Sequence, residues 1–325
     1  MFANLFYSVP KNKKSMKFKG QHILSTKQFD KNGLLAFFEV VKKMEKVLED
    51  AVIHGKQSKL CEGKILATLF YEPSTRTRFS FETAMLRLGG RVISNFDMLK
   101  TSSAVKMETL FDTGKVVSQM ADVIAMRHPE VGSVAELARF SDVPVINAGD
   151  GSGDHPTQGL LDVYTIWKEK RKLNGLTVGI IGDLKHSRVF HSQCEILKFF
   201  NVNFVLISPK ALSLPDKFKK EIGKFVEVED LSKVIDDLDV ISVNRIQTER
   251  FQSEKEAEKF RGKFVVSSSI MKKAKKDAII LCPLPRREEL PMEIDNDPRA
   301  KYFEQIKNGV CVRMALFCEI FGVTV

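Results

Sequence analysis

Cysteine is scarce, and its pattern offers no pairing. The five residues Cys61, Cys194, Cys282, Cys311 and Cys318 are an odd number, widely separated and mostly in apolar surroundings. This argues against a disulfide framework and reads as free buried thiols in a reducing compartment, the cytoplasm. No two cysteines stand at metal-ligand spacing and no H-x-x-x-H occurs, so no metal is expected. A G-x-S-x-G elbow is missing, which argues against serine-hydrolase chemistry, and so is G-x-x-x-x-G-K-[ST], which argues against nucleoside triphosphate use. The segment GIIGDLKHSR (179–188) has the outline of a nucleotide-binding turn. It lacks the G-x-G-x-x-G spacing and carries Lys185 and His186 in the turn, so no dinucleotide cofactor is expected. No run is long and apolar enough to span a membrane. The apolar patch within the first 15 residues is too short for a signal peptide, and its basic cluster follows it; residues 1–17 read as a flexible basic arm.

Acidic residues are in deficit, 41 against 51 basic ones, for a formal charge of +10. The excess is dispersed over KNKK (11–14), KEKRK (168–172) and KKAKK (272–276), which suits solvated faces and attraction of small anions. No basic stripe, aromatic RNA-binding signature or zinc-finger spacing supports a nucleic-acid partner.

What is present is a core-forming α/β pattern. With 325 residues, 43% of them apolar, and only 11 prolines, the chain can bury a large core, and two domains are expected. Strands are expected at 63–72, 91–96, 122–128 and 143–149, then at 176–184, 202–208, 239–245, 263–269 and 278–285. Helical periodicity falls between them, at 34–53, 79–88, 105–120, 131–141, 160–172 and 187–200, and again at 309–322, where the last helix is expected to dock back on the first unit. The fold class is α/β: two domains, each with a mostly parallel central sheet flanked by helices, and an active site in the cleft between them.

The most informative stretch is YEPSTRTRFSFE, 71–82. A strand that turns into a helix at a Pro-Ser-Thr step leaves the first backbone N–H groups facing outward, which makes an anion site. Ser74, Thr75, Arg76, Thr77 and Arg78 add three hydroxyls and two guanidinium groups, more than helix capping requires. Further polar clusters stand at other strand ends: Arg127-His128-Pro129, His155-Pro156-Thr157-Gln158, Arg245 with Gln247, and Cys282-Pro283-Leu284-Pro285-Arg286. A lone strand-end arginine is more often solvated than functional, and a lone loop histidine decides nothing. Their shared placement is what points to one arginine-rich pocket able to hold a phosphate and carboxylates while polarising a carbonyl.

At YEPSTRTR, MRHP, GDGSGDHPTQ and PLPR the chain resembles the aspartate/ornithine carbamoyltransferase family, from about residue 18 to the C-terminus. Arg245-Ile246-Gln247 and Cys282-Pro283-Leu284-Pro285 are similar to the aspartate-using branch, not the ornithine-using one. The resemblance implies transfer of the carbamoyl group of carbamoyl phosphate to the α-amine of L-aspartate, an early step of pyrimidine synthesis, with no cofactor. It implies a domain binding carbamoyl phosphate (18–155), a domain binding aspartate (156–303), and a C-terminal helix (304–325) returning to the first. Carried over by motif, the carbamoyl-phosphate set is Ser74, Thr75, Arg76, Thr77, Ser102, Lys106, Arg127, His155, Gln158 and the carbonyl of Leu284. The aspartate set is Lys106, Arg188, Arg245, Gln247, Pro283 and Leu284, and the catalytic groups are Arg76, Thr77, Lys106, Arg127 and His155.

Ser102 and Lys106, in FDMLKTSSAVKMET (96–109), match a family loop that reaches the neighbouring subunit's site. That implies a homotrimer with shared active sites, open to a regulatory chain or a pathway enzyme as a further partner. Two departures stand out: Cys282 replaces the usual histidine, and Val105 replaces a common second basic residue. The alternatives are a carbamoyltransferase for another amine, such as ornithine, and a catalytically silent scaffold subunit; Arg245 and Gln247 favour a second carboxylate over a cationic side chain.

Overall fold

The computed structural model describes residues 18–248, 251, 253, 255 and 258–325. The basic arm, 1–17, lies outside the described residues. The chain enters α1 (Lys31–Ile53), whose N-terminus is capped by Asp30 accepting from the Gly33 N–H at 2.8 Å. Leu34, Phe37, Phe38, Val41, Met44 and Leu48 recur at helical spacing and are buried, so one stripe of the helix is core. There follow β1 (Ile65–Phe70), α2 (Thr75–Arg87), β2 (Arg91–Phe96), α3 (Leu110–Ser118), β3 (Val123–His128), α4 (Ser133–Phe140) and β4 (Val145–Asp150). These strands form a parallel sheet in the order β2-β1-β3-β4.

Helix α5 (Pro156–Lys170) leads into the second unit: β5 (Thr177–Gly182), α6 (Arg188–Leu197), β6 (Asn203–Ile207), α7 (Asp216–Ile222), β7 (Phe225–Val228), β8 (Val240–Asn244) and β9 (Ile279–Leu281). Its sheet is also parallel, ordered β7-β6-β5-β8-β9. The last helix, α8 (Tyr302–Phe321), packs against α1, α2 and α5, returning the chain to the first unit as expected. One core continues through both units, with Leu66, Phe81 and Ile146 in the same cluster as Leu161, Ile180 and Phe317. Trp167 is a packing residue, its ring centroid 5.7 Å from that of Phe38 and 5.9 Å from that of Tyr164. All five cysteines are free and buried.

Two expectations are corrected and one strand is new. Residues 263–269 are not a strand: Phe264 and Val266 are buried, but Ser267 accepts from the Ile270 N–H and starts a helical turn, Ser268–Met271, so local capping overrides the extended pattern. The short charged strand β7, Phe225–Val228, was not anticipated. The helix expected over 105–120 begins only at Leu110, because Met107 takes φ 63° and Thr109 caps the Asp112 N–H at 3.1 Å.

The topology places the chemistry. The first sheet reverses its strand order between β1 and β3, the second between β5 and β8. Crevices open at the carboxyl ends of such strands, and both reversal points face the same cleft.

Candidate active site

The cleft encloses about 450 Å³ and is lined from both units. From the first come Ser74, Thr75, Arg76 and Thr77 at the head of α2, Arg127 at the end of β3, and His155 and Gln158 at the start of α5. From the second come Arg188 at the start of α6, Arg245 and Gln247 after β8, and Pro283 and Leu284 after β9. Twelve of the residues nominated from sequence are therefore brought to one cavity. Ser102 and Lys106 are not among its lining residues. Lys106 is exposed, and Ser102 Oγ donates to the Met98 carbonyl at 2.6 Å.

At the head of α2, Ser74 is the N-cap residue with φ −161° and ψ 94°, yet its hydroxyl makes no capping bond. The helix start therefore keeps both a free hydroxyl and its leading N–H groups for an anion. Arg76 crosses the cleft, its Nη2 donating to the Leu284 carbonyl at 2.8 Å. Arg78 turns the other way: its Nε lies 3.6 Å from Glu82 and its guanidinium 4.5 Å from the Phe96 ring centroid. The clamp holds one guanidinium, not two.

Glu72 was missed in the sequence. Its Oε2 lies 3.0 Å from Arg127 Nη2 and 3.3 Å from Arg188 Nη2, so one carboxylate ties a first-unit arginine to a second-unit arginine. Arg188 Nη1 also donates to the Gly151 carbonyl. Gly149, at φ 115°, makes room for both: an added Cβ would stand 3.1 Å from Arg188 Cζ and 3.3 Å from Arg127 Nη1. The signal in sequence was an acidic residue directly before an anion clamp, where a carboxylate needs a cationic partner of its own.

His155 is buried, 2% exposed, and its backbone N–H donates to Ser192 Oγ at 3.0 Å. Burial, then the nearby Arg188, Arg127 and Arg313, hold its pKa well below 6.5. The ring is therefore neutral, and its buried Nδ1 makes no hydrogen bond among the described residues. A neutral imidazole can donate to a carbonyl oxygen without carrying a charge that competes with the arginines.

The loop holding His155 is anchored by Asp154, whose Oδ2 accepts from Ser25 Oγ at 2.8 Å and from the Thr26 N–H at 2.8 Å. The Gln247 N–H donates to buried Asp183 Oδ2 at 3.2 Å, which fixes the loop after β8. Cys282 is buried, its thiol pKa pushed up to about 12 by desolvation, so it is inert packing beneath the loop that presents Leu284. Arg313 was also missed. It is 1% exposed on α8 yet borders the cleft, its Nη2 donating to Thr157 Oγ1 at 3.1 Å and its Nη1 to the Gly309 carbonyl at 2.9 Å. Its guanidinium sits 4.7 Å from the Phe81 ring centroid, and burial pushes its pKa down to about 9. A lone cation within the apolar run GVCVRMALFCEIFG was the available signal.

Two family descriptions match consecutive parts of the chain: the aspartate/ornithine carbamoyltransferase carbamoyl-P binding domain over residues 21–168, and the Asp/Orn binding domain over residues 174–320. The chain belongs to the aspartate/ornithine carbamoyltransferase family. Within this family, it is 45% identical to the aspartate carbamoyltransferase catalytic subunit of Thermoplasma acidophilum over 307 residues, covering 94% of this chain and 99% of the relative. It is also 45% identical to the Clostridium acetobutylicum catalytic subunit over 312 residues, with 94% and 99% covered. Among solved structures, the catalytic subunit of M. jannaschii aspartate transcarbamoylase superposes with a TM-score of 0.86 at 44% identity, covering 93% of this chain and 98% of that one. Aspartate transcarbamoylase from Trypanosoma cruzi in complex with carbamoyl phosphate and aspartate gives 0.87 at 35% identity, covering 94% and 98%.

Proposed function

We infer that the chain transfers the carbamoyl group of carbamoyl phosphate to the α-amine of L-aspartate, giving N-carbamoyl-L-aspartate and phosphate. The observation that carries this reading is the convergence of Arg76, Arg127, Arg188 and Arg245 on one cleft with neutral His155 and with Gln158. Such a site suits one phosphate, two carboxylates and a carbonyl whose oxygen gains charge.

Roles follow from position. Ser74, Thr75, Arg76 and Thr77 hold the phosphate at the positive end of α2. Thr77, Arg127 and His155 donate to the carbonyl oxygen, where charge builds as the amine attacks. Gln158 and the Leu284 carbonyl accept from the carbamoyl NH2 group. Arg188, Arg245 and Gln247 bind the aspartate carboxylates beside Pro283 and Leu284. The new C–N bond forms as the C–O bond to phosphate breaks, and the departing phosphate takes the amine proton. Rate enhancement comes from proximity and fixed donors.

The unit that acts is a homotrimer, in which Ser102 and Lys106 complete the neighbour's cleft, with Lys106 serving both substrates. The surface near these residues supports this. Strand β2 is an edge strand, with Ile93 43% and Phe96 60% exposed, and Phe79, Leu99 and Met107 lie open nearby. Such an apolar edge is covered in a stable protein. Residues 18–155 form the unit for carbamoyl phosphate, 156–303 the unit for aspartate, and 304–325 the closing helix. Five buried, unpaired thiols fit the cytoplasm, and the product fits pyrimidine synthesis. The test is product formation from carbamoyl phosphate with L-aspartate or L-ornithine. Carbamoyl-aspartate formed in the aspartate reaction alone is the expected result, and carbamoylation of ornithine alone would overturn the acceptor.

A further inference from the structure

Beneath the cleft floor lies a carboxylate that none of these roles uses. Asp162 is 2% exposed and stands one helical turn after Gln158 on α5. Its Oδ1 accepts from Gln158 Nε2 at 2.8 Å and from Gln305 Nε2 at 2.5 Å. Gln305, also 2% exposed, comes from α8, and its Oε1 accepts from the Cys282 N–H at 3.0 Å. A single oxygen thus links the start of α5, through α8, to the loop that carries Leu284.

The chemistry of the linkage sets direction. The shared Asp162 oxygen acts only as an acceptor here, so both glutamines must turn their NH2 groups towards it. For Gln305 this leaves Oε1 for the Cys282 N–H. For Gln158 it leaves Oε1 for the cleft, where an acceptor for a substrate NH2 group is wanted. Leu284 is two residues beyond Cys282, and a carbonyl oxygen has two lone pairs, so it can serve Arg76 and a substrate donor together. Burial pushes the Asp162 carboxyl up to about 7. Both hydrogen bonds land on Oδ1, so a proton on Oδ2 leaves them in place.

We propose that Asp162 and Gln305 are positioning residues that orient the two acceptors of the donor substrate's NH2 group, Gln158 Oε1 and the Leu284 carbonyl. They thereby set the preference for a carbamoyl over an acyl phosphate. This rests on the reading that the cleft takes carbamoyl phosphate with those two acceptors. Asp162 is not among the residues lining the cleft, and Gln305, which is, has its amide NH2 committed to Asp162 and its Oε1 to the Cys282 N–H.

The experiment compares carbamoyl phosphate with acetyl phosphate, which has a methyl group where the other has NH2. The carbamoyl phosphate KM and the competitive Ki of acetyl phosphate are measured on the full chain at saturating aspartate. Asp162→Leu and Gln305→Met are expected to raise the KM about 10-fold while the acetyl phosphate Ki stays within about twofold, the loss expected for one oriented hydrogen bond. Asp162→Asn keeps an Oδ1 and is expected to retain the wild-type ratio to within about threefold. A parallel rise in both constants would assign the pair a purely structural role and overturn the proposal, as would an unchanged ratio. Gln158→Met separates the two levels. If it leaves the ratio intact, the assignment of the acceptors fails; if it alone collapses the ratio, only the positioning role fails. Should Asp162→Leu not fold, Gln305→Met carries the same decision.

Discussion

Arg76 and Leu284 are 208 positions apart, and the Arg76 guanidinium donates to the Leu284 carbonyl at 2.8 Å across the cleft. Leu284 holds φ 55°, a backbone region costly for a branched side chain, so its carbonyl direction is imposed by the surrounding loop. The pair joins the head of α2, proposed to hold the phosphate, and the loop after β9, proposed to face the amide, into one hydrogen-bonded unit. On the phosphate-binding role proposed for Arg76, Arg76→Ala removes a charged donor from the leaving group as well as this tie. The expected loss in kcat is about 10³-fold, or ~4 kcal/mol of transition-state stabilisation. Steady-state rates with both substrates saturating check it, and near-normal turnover would remove Arg76 from the mechanism.

Glu72 invites a different test, because its value lies in holding arginines, not substrate. Replacing it by Gln keeps the shape and discards the charge opposite Arg127 and Arg188. Arg127 and Arg188 then each lose the carboxylate that holds their guanidinium groups, Arg188 keeping the Gly151 carbonyl, whereas the hydroxyls and N–H groups at the head of α2 are untouched. The aspartate KM should rise about 10-fold and kcat fall through Arg127, with the carbamoyl phosphate KM, held mainly by the α2 cradle, rising less than about threefold. Titrating each substrate at saturation of the other distinguishes this from general damage, which would raise both alike.

Much of this site was legible from local sequence because its residues follow strand ends. YEPSTRTR, MRHP, HPTQ and PLPR each announce a turn after an apolar run, and the parallel topology then forces those turns to one edge. Glu72 and Arg313 signalled only that each needs a partner, and Asp162 and Gln305 signalled nothing, because their meaning lies in partners supplied by other elements. Gln305 meets Asp162 across 143 residues, and Arg313 meets Thr157 across 156. No local pattern encodes such a pairing. The strand expected at 263–269 failed for the opposite reason: a local serine cap outweighed an apolar pattern that has no neighbouring strand to join.

Acid acts on the fold through two buried histidines, which it destabilises, and in the opposite sense through Asp162, whose buried carboxyl is pushed up to about 7 and so takes up its proton first in the folded state. His191 is buried against Phe218, with ring centroids 4.0 Å apart, and burial lowers its pKa to about 4. His155 is held well below 6.5 by burial and the surrounding arginines. In the unfolded chain both titrate near the ordinary 6.5, so on acidification the unfolded state takes up protons first. Their contribution is full above pH 6.5 and is lost as pH falls through the folded-state values. For His191 alone the loss amounts to ~3 kcal/mol by the time pH reaches its folded value. Urea unfolding followed by Trp167 emission at several pH values between 7.5 and 4.5 should show this decline in the Asp162→Asn background, where the opposing proton uptake is removed. His191→Leu should flatten it, while forfeiting the bond to the Leu184 carbonyl at neutral pH. An equally steep decline in the variant would place the acid sensitivity elsewhere.

The proposed sharing of the cleft between subunits can be tested by complementation. Lys106 lies outside the cleft of its own chain, whereas Arg76 lies inside it. If Lys106 serves a neighbour, Arg76→Ala and Lys106→Ala are each inactive alone but damage different partners of the same composite site. In every mixed trimer one junction joins an intact Arg76 to an intact Lys106. Random reassembly of equal amounts should therefore restore about a quarter of wild-type activity. The same experiment repeated with Phe96→Asp in both chains should restore far less, since a charge on the exposed β2 edge opposes burial of that surface. Activity measured after dissociation and remixing, alongside sedimentation of the mixture, decides the matter. Mixed trimers that sediment normally and stay inactive would confine each active site to a single chain.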